Sequence, residues 1–160
     1  MITRAAVIAA LYVALVLIFQ PVSFGPVQFR VAEALTILPF LMPEAIPGLF
    51  VGCLIANIFG GLGPFDIVLG SLATLIAAYA SFRAPNKWLA ASAPVAVNGL
   101  VVGAYLSFLT GMPMSLSVAY VALGEAGVCF ALGVPLAHLL ARSPILGATP
   151  EPSWRAQKNR

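Results

Sequence analysis

The sequence predicts an all-α membrane protein, a six-transmembrane-helix bundle, and three observations carry that reading. Of 160 residues, 61% are hydrophobic and only 8% charged, where a soluble domain carries about a quarter charged residues. Mean hydropathy is +1.03. The apolar residues fall in runs separated by connectors rich in Gly and Pro, and at roughly 20 apolar residues per crossing the chain has room for about six spans and little else. Residues 1–142 thus read as one six-helix transmembrane domain, and the polar, Pro-bearing stretch 143–160 as a disordered tail. No room is left for a nucleotide-binding fold.

The first run covers residues 5–19 and stops at Gln20-Pro21. One arginine precedes it and no Ala-x-Ala-like cleavage site follows, so it reads as a retained helix and not a signal peptide. The second run, 31–42, has 12 residues; as α-helix it would cover only ~18 Å of a ~30 Å core. It must begin earlier, near Val27, or sit in a thinned or protein-enclosed place. Pro43-Glu44-Ala45-Ile46-Pro47 makes a turn, and 48–59 is the third run. The loop Gly60-Gly61-Leu62-Gly63-Pro64 leads into the fourth run, 65–82. The fifth and sixth, 88–109 and 114–140, follow connectors at 83–87 and 110–113.

With six spans both termini share one side, together with Arg4, Arg83, Lys87, Arg142, Arg155, Lys158 and Arg160, while the other side carries Arg30 alone. By the positive-inside rule the termini are cytoplasmic. The basic residues are too scattered for a nucleic-acid partner.

Charged and amide side chains in membrane helices are costly, and each is a functional candidate. Glu33 follows Arg30 by one helical turn, a spacing at which the two side chains can meet; an interfacial ion pair and a pocket-mouth contact are both open. Asp66 opens the fourth helix and reads either as an N-cap or as a pocket residue. Asn57 and Asn98 read as pocket donors or as interhelical glue. Glu125 lies ~15 Å inside the sixth helix, with no basic residue at its depth, and needs a partner. Glu44 reads as solvated in its turn, and His138 as interfacial. Cys53 and Cys129 sit in apolar runs and read as small packing residues. Nearly all of the polar candidates fall in the outer half or at the midplane, describing a cup open to the outside and closed below. Ala6, Ala10 and Ala14 form a small-residue stripe, with Ala5 and Ala9 alongside, suited either to internal packing or to a partner helix.

These features resemble the substrate-binding S-components of energy-coupling factor (ECF) vitamin transporters: six helices, an outward ligand pocket and an A-x-x-x-A stripe on helix 1. Locally, SFGPVQFRVAEALTILPF (23–40), GLFVGCLIANIFGGLGPFDIVLGSLATL (48–75) and YVALGEAGVCFALGVPL (120–136) resemble the QueT family, assigned to queuosine-precursor uptake. The resemblance covers about residues 5–142. It implies a multi-pass protein of a prokaryotic plasma membrane that captures ligand outside and docks on a transmembrane coupling protein carrying two ATPase subunits. This chain has no G-x-x-x-x-G-K-S/T phosphate loop, as that division of labour requires; no enzymatic activity and no cofactor are expected of it.

A 7-deazaguanine base presents N1–H and an exocyclic amine as parallel donors, which a carboxylate accepts bidentately. Glu125 suits that role by depth and charge. Asn57, Asn98, Gln28 or Arg30 could donate to the carbonyl and ring nitrogens, Glu33 could meet an aminomethyl cation, and Tyr120 could stack on the base. Which precursor is carried stays open. An S-component for another vitamin or heterocycle is the alternative, or an autonomous secondary transporter, although the two halves show no convincing inverted repeat. One histidine and two separated cysteines make no metal centre and leave little case for a membrane enzyme.

Overall fold

The structure, a computed structural model, describes residues 2–24 and 29–143. Helix α1 (Ile2–Ile18) and the short α2 (Gln20–Ser23) precede a 3₁₀ helix (Val31–Phe40) and α3 (Ala45–Gly60). A π-helical turn (Asp66–Gly70) runs into α4 (Ser71–Arg83), followed by α5 (Lys87–Thr110) and α6 (Met114–Val128). A second π turn (Cys129–Gly133) continues α6 into α7 (Val134–Ala141). The tail from residue 144 and the candidate Gln28 lie outside the described residues.

Three helical stretches, Asp66–Arg83, Lys87–Thr110 and Met114–Ala141, are long and apolar enough to cross a membrane; Ile2–Ile18, Val31–Phe40 and Ala45–Gly60 are shorter apolar helices. The element ends follow local chemistry. Asn86 caps α5 by accepting from the amides of Trp88 and Leu89, at 3.0 and 2.9 Å. Helices α3 and α5 end on Gly61 and Gly111 at φ of 75° and 72°, a left-handed conformation that glycine adopts without steric cost.

The exterior is apolar, and charged and amide side chains are buried inside alongside a hydrophobic core. Phe108 is 81% exposed and Leu123 and Leu139 67%, while Glu33, Asp66, Asn57 and Glu125 are buried. Apolar atoms outside and polar atoms inside are what hydrocarbon solvent demands. The protein is an all-α membrane protein.

The 3₁₀ helix is the centre of the bundle, in contact with α1 and with every helix from α3 to α7. Each residue from Ala32 to Met42 is buried. This resolves the length problem of the second run, which is enclosed by protein and stretched. Its ten residues reach ~20 Å at the 3₁₀ rise, against ~15 Å as α-helix. Local chemistry favours the tighter winding. Pro39 offers no amide, and the Glu33 carbonyl is taken by the Thr36 hydroxyl at 2.6 Å.

Two seams hold the periphery through small residues. A Cβ placed on Gly48 would lie 2.6 Å from the Ala5 carbonyl oxygen, and one on Gly52 2.9 Å from the Tyr12 Cβ. Between α5 and α6, a Cβ on Gly103 would lie 2.6 Å from the Val118 Cα. Such close backbone approach is how helices associate where no hydrophobic force drives them together.

The two ends of the bundle differ in charge. Arg4 pairs with Glu44 at 3.7 Å, so Glu44 is ion-paired and largely buried, contrary to the solvated reading. A groove at the same end brings Lys87 and Arg142 to Leu41. Arg30 stands at the opposite end of the 3₁₀ helix.

Candidate functional site

The stretched central helix carries Glu33 and Thr36 into the bundle, and the surrounding helices bring polar groups to meet them. From α1, Tyr12 donates to Glu33 Oε1, and from α4, Thr74 does so at 3.5 Å. Helix α3 presents Cys53 and Asn57 four residues apart, hence on one face. Cys53 Sγ lies 3.3 Å from the Thr74 hydroxyl. Asn57 Nδ2 donates to the Asp66 carbonyl at 2.9 Å and to Ser71 Oγ at 3.4 Å.

Asp66 lies in the first turn of its helix and caps nothing with its side chain. Its Oδ1 instead accepts from the Tyr105 hydroxyl and pairs with Arg30 Nη2 at 3.6 Å. Gly70 lets these groups converge, since a Cβ there would sit 3.0 Å from both Asn57 Nδ2 and Asp66 Oδ1. Deeper in the bundle, Asn98 donates to Glu125 Oε1 at 3.0 Å, and Cys129 Sγ lies 3.7 Å from Glu125 Oε2. The same thiol reaches the Glu33 carbonyl at 3.6 Å, tying the two acidic corners together.

Most candidates from the sequence are thus in one connected cluster: Arg30, Glu33, Asn57, Asp66, Asn98 and Glu125. Two candidates, Arg30 and Tyr120, sit differently from expectation. Arg30 does not pair with Glu33; its extended N-cap backbone, φ −92° and ψ 93°, turns the guanidinium to Asp66. Nor is Arg30 at an open mouth, being 4% exposed, with its guanidinium 5.1 Å from the Phe24 ring centre. Tyr120 is 36% exposed, because it lies ~100° round the helix from the buried Val121. No hydrogen bond or ring contact ties it to the cluster. Ala6, Ala10 and Ala14 are exposed, whereas Ala9 is buried and Ala5 partly so.

Sequence reasoning missed Tyr12, Thr74, Tyr105 and the role of both thiols. Spacing held a signal for two of them: Cys53 and Cys129 each stand four residues from a polar candidate, Asn57 and Glu125.

Several buried atoms of the cluster lack a hydrogen-bond partner: Glu33 Oε2, Asp66 Oδ2, Asn57 Oδ1, Asn98 Oδ1 and both Nε and Nη2 of Arg30. Each such group costs about 1–3 kcal/mol if left unmet, so several together ask for an explanation. Four of the six are acceptors, and the cluster sets Glu33, Asp66 and Glu125 against the single guanidinium of Arg30. Chemically, this arrangement can accept hydrogen bonds from donors brought to it. Among the described residues, no group of three or more His, Cys, Asp or Glu could hold a metal ion.

Comparison with known proteins gives the family. Residues 2–142 match the family described as QueT transporter. A curated protein of Lactococcus lactis subsp. cremoris, "Queuosine precursor transporter QueT", is 38% identical over 73 residues, which span 44% of this chain and 43% of that protein. No solved structure matches. With a match running over nearly the whole described fold, the chain belongs to the QueT transporter family.

Proposed function

We propose that this chain is the substrate-binding component of an ECF-type transporter, capturing a queuosine precursor of the 7-deazaguanine type outside the cell for ATP-driven uptake. The observation that carries the reading is the buried cluster with its excess of unmet acceptors. A 7-deazaguanine base offers N–H donors on both rings and on its exocyclic amine. The name of the Lactococcus relative, a queuosine precursor transporter, agrees with that chemistry.

In this reading the chain crosses the membrane six times. The three shorter apolar helices join the three long ones, and the termini lie on the cytoplasmic side with the basic end of the bundle. Glu125 reads the donor edge of the base, held in place by Asn98. Asn57 and Arg30 serve the remaining polar atoms, and Glu33 and Asp66 favour a precursor bearing an amine. Ligand entry parts contacts within the cluster, which is closed in this structure. The exposed Ala6, Ala10 and Ala14 meet a transmembrane coupling protein that works with two ATPase subunits.

Identification of the small molecule that copurifies with the protein in detergent tests the substrate. A deazapurine supports the reading; a chemically unrelated heterocycle overturns it. Uptake in cells lacking any coupling module would favour an autonomous transporter. Glu125→Gln places an amide donor against a ligand N–H and should cost roughly 2–4 kcal/mol, about 30- to 1000-fold in affinity by calorimetry. Unchanged affinity in the folded variant would remove Glu125 from the site.

A further inference from the structure

We propose that the groove between the start of α5 and the end of α7 binds an anionic phospholipid of the phosphatidylglycerol class. The groove encloses about 450 Å³, with Phe40, Leu41 and Trp88 as apolar lining and Lys87, His138 and Arg142 beside them. Phe40 and Leu41 are buried, while His138 and Arg142 are exposed. The polar groups therefore stand outside an apolar floor.

Charge distinguishes this groove from the other one at the same end. That second groove, about 440 Å³ between α1 and α3, has Glu44 in its wall, and Glu44 is already paired with Arg4. Lys87 and Arg142 have no such carboxylate: the ion pairs among the described residues are Arg4–Glu44 and Arg30–Asp66. Lys87 Nζ stands 5.6 Å from the Trp88 ring centre, which leaves its charge available to an anion.

Position matches a lipid. Lys87 opens α5 and Arg142 follows the last residue of α7, so both charges lie where membrane helices end and headgroups begin. Trp88, stacked on Phe130 at 6.2 Å and 26°, is an aromatic anchor of the kind found at that level. Basic pockets between helices at this depth select acidic headgroups. Asn86 already takes the amides of Trp88 and Leu89, so side chains and not the helix terminus supply the attraction. A small anion would match the charge and make no use of the apolar lining.

The inference needs only a membrane-embedded chain and not the substrate reading; base binding measured alongside separates the two. Purified full-length protein in neutral detergent is titrated with phosphatidylglycerol, with phosphatidylcholine of the same acyl chains, or with inorganic phosphate. Thermal unfolding and native mass spectrometry report binding. Phosphatidylglycerol should raise the unfolding temperature and remain bound, and the other two should do neither. At about fivefold per basic side chain, Lys87→Gln with Arg142→Gln should weaken phosphatidylglycerol binding about 30-fold and leave base binding unchanged. Should that pair fail to fold, Arg142→Gln alone should weaken it about fivefold. Equal stabilisation by phosphatidylcholine, full reproduction by phosphate, or undiminished phosphatidylglycerol binding in the folded variants would overturn the proposal.

Discussion

Helix α1 carries two rows of alanine with the same spacing and different surroundings. Ala5 and Ala9 are pressed on α3 so closely that a Cβ on Gly48 would meet the Ala5 carbonyl at 2.6 Å, and one on Gly52 the Ala9 carbonyl at 3.0 Å. Ala6, Ala10 and Ala14, one position along, are exposed. Alanine itself does not decide which row is covered. The glycines of α3 do, since only they admit backbone contact, and Tyr12 fixes the rotation of α1 by donating to Glu33. A small-residue stripe read from one helix therefore says that close approach is possible, and its partner's sequence says where it happens.

Losses on substitution should scale with what lies against each residue. The largest is expected inside the polar cluster that α1 leans on. Arg30→Ala strands Asp66 as a buried charge and should cost about 3–5 kcal/mol, read as a fall in unfolding temperature of the ligand-free protein. Unchanged stability there, with weakened ligand binding, would instead restore Arg30 to a solvated pocket mouth. Gly48→Val drives a branched side chain into the Ala5 backbone, which cannot yield as a flexible side chain would, and should cost about 3 kcal/mol. Denaturant or thermal unfolding checks it, and a near-native result would mean the seam between α1 and α3 is looser than its geometry.

Tyr12→Phe keeps the packing of α1 and removes one donor to Glu33, for about 2 kcal/mol of stability. If the ligand relies on Glu33 as held by Tyr12, its affinity falls as well. The smallest effect belongs to the uncovered row. Ala10→Trp should change stability by no more than ~0.5 kcal/mol and bind ligand normally, yet fail to copurify with the coupling protein. Misfolding or lost ligand binding in that variant would mean the second row is covered too.

Much of the helix layout was legible in the sequence because glycine and proline punctuate the apolar runs. Asn86 and Gly111 mark the ends of α5. Polar candidates were legible for a single reason, that an amide or carboxylate in a hydrophobic run is conspicuous. The same reasoning passed over Tyr12, Cys53 and Cys129, whose side chains suit a membrane interior and reveal their hydrogen bonds only in three dimensions. Arg30 had Glu33 three positions away, and its true partner Asp66 lies beyond the 3₁₀ helix, α3 and the loop that follows, outside any local spacing rule. The 3₁₀ winding was invisible for another reason. A run buried on all sides is apolar at nearly every position, so it carries no periodicity to read.

That winding has a consequence for how the central segment tolerates change. At three residues per turn, side chains three apart eclipse one another, so the segment is a triangular prism with three flat sides. One edge stacks Glu33, Thr36 and Pro39; a second stacks Val31, Ala34, Ile37 and Phe40; the third stacks Ala32, Leu35 and Leu38. Only the first edge carries polar side chains with work in the cluster. Saturation mutagenesis across Val31–Phe40 should therefore show tolerance to small polar residues recurring every third position, a beat that an α-helix, with its 3.6-residue turn, would blur within two turns.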